Sequence, residues 1–162
     1  MTESFNNGGF KTRPYEEIIA FVETELAANR GDVIHDTFAF LAEQMIELNK
    51  AKNTEIKGFL KWLEREAGCE IDDLTGKTAI KDYHESDFEA LLNALRKNKQ
   101  KLSIDPASRR FQEALEKHYN ESISVLTLVK NKIKATDNLI DQIVYKLYNL
   151  TPEEIEIVGG KR

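Results

Sequence analysis

The stretch that decides the fold runs Asp32-Val33-Ile34-His35-Asp36-Thr37-Phe38-Ala39-Phe40-Leu41-Ala42-Glu43-Gln44-Met45-Ile46-Glu47-Leu48. Its apolar positions Ile34, Phe38, Leu41, Met45 and Leu48 fall at steps of four, three, four and three, the heptad-like spacing of one helical face. After a polar stretch from Asn49 to Glu55 the stripe resumes at Ile56, Phe59, Leu60 and Leu63, with its phase shifted by about one residue. The spacing predicts one long helix from 32 to about 67, capped by Asp32, bent or broken near Asn53 and closed by Gly68.

The same periodicity extends in both directions. Pro14 suits a first helical turn, Glu16 and Glu17 follow where the helix dipole favours acids, and Ile18, Ile19, Phe21, Val22 and Leu26 form an apolar side ending at Asn29-Arg30-Gly31. Residues 69–85 are the least regular part and are expected to be a connecting loop that includes about one helical turn. Ser86 is expected to cap a helix with Phe88, Leu91, Leu92 and Leu95. Asp105-Pro106 marks the start of a second long stripe of Phe111, Leu115, Tyr119, Leu126, Val129 and Ile133. Leu139, Ile140, Ile143, Val144, Leu147 and Tyr148 carry that stripe on, with a small adjustment expected at Thr136-Asp137. Asn149 suits a left-handed cap, and Thr151-Pro152-Glu153-Glu154 reads as a capping box before a short helix with Ile155 and Val158.

Two stripes near 32–67 and 106–148 would span about 50–60 Å each at 1.5 Å per residue. Neither can hide its apolar side alone, so the expected fold is all-α: two long amphipathic helices packed antiparallel, coiled-coil-like and braced by shorter ones. We assign residues 1–13 to a flexible polar lead, 14–158 to a single helical domain and 159–162 to a frayed tail.

At 162 residues the chain can bury a core, and with only 8 Gly and 3 Pro it favours helices over a turn-rich β fold. Its one cysteine, Cys69, can form neither an internal disulfide nor a cysteine-based zinc site, so a reducing, cytoplasmic setting is expected. No apolar run approaches the roughly 18–20 residues needed to span a membrane. The net charge of −5 is unevenly spread: 10 Lys/Arg against 19 Asp/Glu in residues 1–95, 10 against 4 in 96–134, and 3 against 5 in 135–162. The basic section serves either an anionic partner or internal pairing with the acidic first half.

No set of residues along the chain assembles a catalytic centre. Thr75-Gly76-Lys77-Thr78 ends like a phosphate-binding loop, but position 71 is Ile where a leading Gly is needed, and no apolar strand precedes it. Glu55-Ile56-Lys57 matches a nuclease fragment but lies in a helical stretch without the strand that presents such carboxylates. Asp32, His35 and Asp36 share a helical turn yet lack further metal ligands, and an N-cap together with a dipole-favoured acid explains Asp32 and Asp36. His84, His118 and Cys69 have no partner at ligand or nucleophile spacing, and Trp62 falls on an apolar stripe. No cofactor and no metal is expected. The surface feature that stands out is basic: Arg96, Lys97, Lys99 and Lys101, then Arg109 and Arg110, with Lys130, Lys132 and Lys134 extending it. Such clusters bind phosphate without sequence preference, while the lack of interleaved aromatics argues against single-strand stacking.

Three segments carry a family resemblance: His35 to Asn49, Phe59-Leu60-Lys61-Trp62-Leu63-Glu64-Arg65-Glu66, and Asp137 to Ile155, which includes Tyr145-Lys146-Leu147-Tyr148-Asn149-Leu150-Thr151-Pro152-Glu153-Glu154-Ile155. They resemble the C-terminal region of Eco57I-like restriction–modification proteins, single-chain adenine-N6 DNA methyltransferases of bacteria and archaea, some fused to an endonuclease. The resemblance spans about residues 14–158. The family's Asn-Pro-Pro-Tyr/Phe motif, its Gly-rich S-adenosylmethionine loop and its nuclease core have no counterpart here, so no catalytic residue carries over. The resemblance implies a non-catalytic accessory domain that supports target recognition, and the basic run read from the sequence makes Arg96, Lys97, Lys99, Lys101, Arg109 and Arg110 its candidate DNA-phosphate contacts. Its implied partners are duplex DNA and methyltransferase or endonuclease domains or subunits. The alternative expectation is a dimerisation or subunit-docking module, homodimeric or docked on another subunit, without direct DNA contact.

Overall fold

A computed structural model describes residues 15–159. The polar lead 1–13, the proposed helix start at Pro14 and the tail from Gly160 to Arg162 lie outside the described residues. The described chain is helical, with no strand, and comprises α1 (Tyr15–Ala27), α2 (Gly31–Ala67), α3 (Lys77–Lys81), α4 (Phe88–Lys97), α5 (Arg109–Leu147) and α6 (Pro152–Val158). Among the described residues no helix is long and apolar enough to cross a membrane.

Helices α2 and α5 are the long stripes of the sequence, at 37 and 39 residues. Both are continuous: the break expected near Asn53 and the adjustment at Thr136-Asp137 do not interrupt the helix. A slip of one residue in the apolar phase turns a helical stripe by about 100° without touching the backbone hydrogen bonds. The ends are set by local chemistry. Asn29 takes a left-handed φ of 56° and Asn149 one of 51°. Each closes its helix with the paired bonds of a Schellman motif: Arg30 N donates to Glu25 O and Asn29 N to Leu26 O, Leu150 N to Tyr145 O and Asn149 N to Lys146 O. Thr151 and Glu154 form the full capping box of α6.

Three starts differ from expectation. Helix α2 begins at Gly31, so Asp32 sits inside the first turn, where its charge suits the dipole, rather than at the cap. Asp87, not Ser86, caps α4, with its carboxylate accepting from Ala90 N at 2.8 Å. Asp105 accepts from Ala107 N at 3.0 Å, and Ser108 N donates to Asp105 O. That turn holds Pro106 buried ahead of the helix, so α5 starts at Arg109.

The described residues fall into two compact units, one comprising residues up to Ile46 together with those from Ile133, the other Glu47–Lys132. In the first, Ile18 and Val22 of α1, Ile34 and Leu41 of α2, and Leu139 and Ile143 of α5 form the core. Glu25, 7% exposed, is neutralised by Arg30, whose Nε and Nη2 donate to its two carboxylate oxygens at 2.6 and 2.7 Å.

The second unit holds the larger core, and residues 69–85 are part of it rather than a loop over it. A 3-10 turn (Ile71–Asp73), α3 and a second 3-10 turn (Tyr83–Glu85) bring Ile71, Leu74, Ile80 and Tyr83 under Phe59 and Leu63 of α2, Leu91, Leu92 and Leu95 of α4, and Phe111, Leu115, Tyr119 and Leu126 of α5. Gly68 permits the turn into this segment. Its φ is +68°, and a Cβ there would stand 2.3 Å from Ser103 Oγ. Tyr83 stacks on Phe59 at 4.1 Å, and its hydroxyl meets Ser122 Oγ at 2.7 Å in the buried interior.

Burial, opposed by the Ser122 hydrogen bond, pushes the Tyr83 phenol up to about 12. A raised pKa means that the stability from the buried neutral phenol is complete below the unfolded value near 10 and is lost as pH rises toward 12. We expect Tyr83→Phe to leave Ser122 unpartnered and to cost about 1–3 kcal/mol at neutral pH. Tyr83→Phe/Ser122→Ala should recover most of that loss, and both variants should lack the alkaline decline above pH ~10 attributable to this phenol. Urea unfolding at pH 7 and pH 11 checks both statements.

Candidate functional site

The basic segment lies in the second unit, where the C-terminus of α4, a 3-10 turn (Lys99–Lys101) and the entry to α5 follow one another. Its anchor is Asn98, only 3% exposed. The side-chain amide donates to Thr75 O at 2.8 Å and Ala94 O at 2.9 Å, while its oxygen accepts from Thr75 N at 2.8 Å. One buried side chain thus ties the 75–76 turn to the end of α4 and fixes the backbone on which Lys97 and Lys99 stand. Ser103 N donates to Ala67 O at 2.8 Å, tying the following turn to the end of α2.

The six candidate phosphate contacts are exposed, but they are not equally free. Arg96 lies 3.8 Å from Glu89 and donates to Asn93 at 3.2 Å. Lys99 pairs with Asp105 at 3.1 Å. Lys101 Nζ donates to the Asp73 carbonyl at 2.7 Å. Arg109 Nε pairs with Glu113 at 2.6 Å. Lys97 and Arg110 are exposed and make no ion pair among the described residues. Exposed pairs of this kind are worth about 0–1 kcal/mol, so an incoming phosphate can displace them at small cost. The turn of Asp105 is more firmly set: the Ala107 N–H, then Lys99, hold its carboxyl below the usual range.

Lys130, which the sequence assigns to the same positive region, is committed elsewhere. Its Nζ lies 2.7 Å from Glu85 Oε1, 3.0 Å from His84 O and 3.2 Å from His84 Nδ1. Together with Tyr119 Oη donating to Ser86 O at 2.7 Å, it fastens the 83–86 segment to α5. Lys132 and Lys134 are exposed.

The remaining sequence candidates have structural partners. The Thr75 amide that a phosphate-binding loop would offer is occupied by Asn98, and α3 behind it is five residues long. Glu55-Ile56-Lys57 lies within α2. His35 Nδ1 is 3.9 Å from Asp36 Oδ1, and among the described residues no three His, Cys, Asp or Glu side chains are grouped to hold a metal ion. The His118 ring packs tilted against Trp62, their centroids 4.2 Å apart. Cys69 is half-buried, and burial followed by the charges of Asp73, Glu64 and Glu70 pushes its thiol up, away from the reactive thiolate. It lines an open groove of about 900 Å³ with Gly58, Lys61, Glu64, Arg65, Gly68, Glu70 and Asp73. The sequence reading missed this groove because its lining comes from α2 and from the segment taken for a loop.

Residues 32–144 match the model of the family described as a domain of unknown function, DUF8810, and the chain belongs to that family. No curated protein and no solved structure matches it.

Two outcomes test this part of the structure. Asn98→Ala strands the Thr75 N–H and C=O and should lower stability by about 2–3 kcal/mol, read from the urea midpoint. Lys130, chiefly through its hydrogen bond, holds the Glu85 carboxyl below its ordinary value. A depressed carboxyl contributes stability that is present above the unfolded value near 4.3 and lost as pH falls through the lower folded value. Because the pair is largely exposed, Glu85→Gln should remove less than about 1 kcal/mol at pH 7. It should also flatten the acid side of the stability profile below pH ~4.3.

Proposed function

We propose that this chain is a non-catalytic helical accessory domain of a DNA restriction–modification methyltransferase or endonuclease, acting in the cytoplasm, supporting target recognition and touching the DNA backbone. The observation that carries the reading is the resemblance of His35–Asn49, Phe59–Glu66 and Asp137–Ile155 to the C-terminal region of Eco57I-like enzymes. The exposed cations at the end of α4 and the start of α5 support the backbone contact, with Lys97 and Arg110 the most available. The absence of the family's catalytic motifs from this sequence fits an accessory role, the chemistry residing in methyltransferase or endonuclease domains.

The architecture suits a brace. In each unit a stretch of α2 shares a core with a stretch of α5: Ile34 and Leu41 with Leu139 and Ile143, Phe59 and Leu63 with Phe111 through Leu126. The order of these stretches along the chain is the one antiparallel packing requires, and we read α2 and α5 as an antiparallel pair braced by the shorter helices.

A second reading, a dimerisation or subunit-docking module without DNA contact, is favoured by one observation. In the first unit Leu147, Tyr148, Ile157 and Val158 expose 41–79% of their surface, and α6 buries none of its residues. Apolar side chains gathered at the end of one helix and on the next are a form that protein contacts take.

The test pairs the chain with a methyltransferase core of the Eco57I-like class that lacks the corresponding region. We expect the chain to co-elute with that core and to raise methyl transfer to duplex DNA. No co-elution and no change in methylation would remove the accessory role. Light scattering on the chain alone separates the second reading: a concentration-dependent dimer lost in Tyr148→Ser/Ile157→Ser supports it.

A further inference from the structure

The residues up to 95 are acidic in sum, yet one face of the C-terminal part of α2, from Lys50 on, is not. On a helical projection Lys50, Lys57, Lys61 and Arg65 share a single exposed face of α2, interspersed with Ala51, Thr54 and Gly58. Lys57, Lys61 and Arg65 follow at i, i+4 and i+8, steps of about 6 Å along the axis. None of these three makes an ion pair among the described residues. Within the stretch of α2 from Glu47 to Ala67 two acids lie on or beside the face, and both are engaged: Glu47 sits 3.8 Å from Lys50, and the Glu64 carboxylate accepts from Ile71 N at 3.1 Å. The small residues leave the surface low between the cations, and a Cβ on Gly58 would meet nothing within 4 Å.

From this we infer that the Lys50–Lys57–Lys61–Arg65 face of α2 binds the phosphate backbone of duplex DNA. The inference rests on DNA being the partner but assigns a surface different from the basic run at 96–110. Over the roughly 22 Å from residue 50 to residue 65, each strand of a duplex presents about six phosphates. Four cations on flexible stems therefore find partners without a fixed register. The groove at the end of this face argues for a long polyanion rather than a small one. Glu64, Glu70 and Asp73 line it beside Lys61 and Arg65, so an isolated phosphate entering it would meet three carboxylates against two cations. A backbone laid along the helix meets the cations and passes over the groove. Residues 47–132 as a whole carry 16 Lys/Arg against 15 Asp/Glu, so this unit is close to neutral in sum and the net negative charge of the chain comes from residues outside it.

The experiment is a filter-binding titration of the full chain against a duplex of arbitrary sequence, repeated from 50 to 200 mM salt. Each phosphate contact contributes about 0.9 to the slope of log affinity against log salt. Lys57→Gln/Lys61→Gln/Arg65→Gln should therefore lower the slope by about 2.7, shrinking the affinity lost across that salt range roughly 40-fold. A control, Lys77→Gln/Lys81→Gln/Lys117→Gln, removes the same charge from other faces and should leave the slope within about 0.9 of the parent's, one contact's worth. Circular dichroism and the urea midpoint confirm that each variant is folded. Equal effects of the two triple variants would overturn the site, since binding would then follow total charge. An unchanged slope in the α2 variant, with loss in Lys97→Ala/Arg110→Ala, would also overturn it while leaving the 96–110 surface standing. If the parent chain binds no duplex at 50 mM salt the inference fails outright, and the accessory role is then judged by the methylation assay alone.

Discussion

A helix of 37 residues and another of 39 each present an apolar stripe longer than any single short helix can cover. Helical stability in water comes mostly from burying such a stripe, not from intrinsic propensity. Everything else in the chain answers that need. In the residues up to Ile46 and from Ile133, α1 supplies Ile18 and Val22 against both long helices. In Glu47–Lys132 the requirement is larger, because Phe59, Leu63, Phe111, Leu115, Tyr119 and Leu126 must all be covered. The chain meets it with a segment that has little regular structure of its own but carries apolar residues at Ile71, Leu74, Ile80 and Tyr83. Each fully buried side chain of this size contributes about 1.5–3 kcal/mol, which is ample reason for residues 69–85 to fold inward.

That inward folding has a polar cost, since short 3-10 turns leave backbone groups unpaired within themselves. The structure meets it with side chains reaching in from the regular helices. Asn98 at the end of α4 takes both backbone groups of Thr75, Glu64 of α2 takes the amide of Ile71, Tyr119 of α5 takes the carbonyl of Ser86, and Lys130 takes that of His84. Among the described residues no buried side-chain nitrogen or oxygen lacks a partner. The polar residues that a search for chemistry would single out here, His84, Lys130, Tyr83 and Asn98, are thereby explained as fasteners of an irregular segment.

The long elements were legible because their signals are local and redundant. Heptad steps through Ile34–Leu48 and Phe111–Ile133, the left-handed Asn149 and the Thr151–Glu154 capping box each involve residues a few positions apart. The irregular segment was not legible, because Ile71, Leu74, Ile80 and Tyr83 have no common period. Only the tertiary core says which way they face. The helix starts slipped for a related reason. Asp105-Pro106 and Ser86-Asp87 each offer two adjacent residues able to cap or open a helix, and the choice is made by which backbone amide lies within reach.

Charge follows the same logic. Counting along the chain places the positive region at 96–134 and the negative one before it. That count averages over faces that never see one another. Folding sets part of the 96–134 excess against acids outside it, Lys130 with Glu85 and Arg96 with Glu89, and engages further cations within it, Lys99 with Asp105 and Arg109 with Glu113. It also lifts Lys57, Lys61 and Arg65 out of an acidic average by placing Glu55 and Glu66 on other sides of the same helix. What a partner meets is the potential at a surface, set by the charges that share a face and remain unpaired. A run of basic residues whose members are mostly engaged can therefore offer less to a phosphate backbone than a sparser row of cations standing free on one face of a helix.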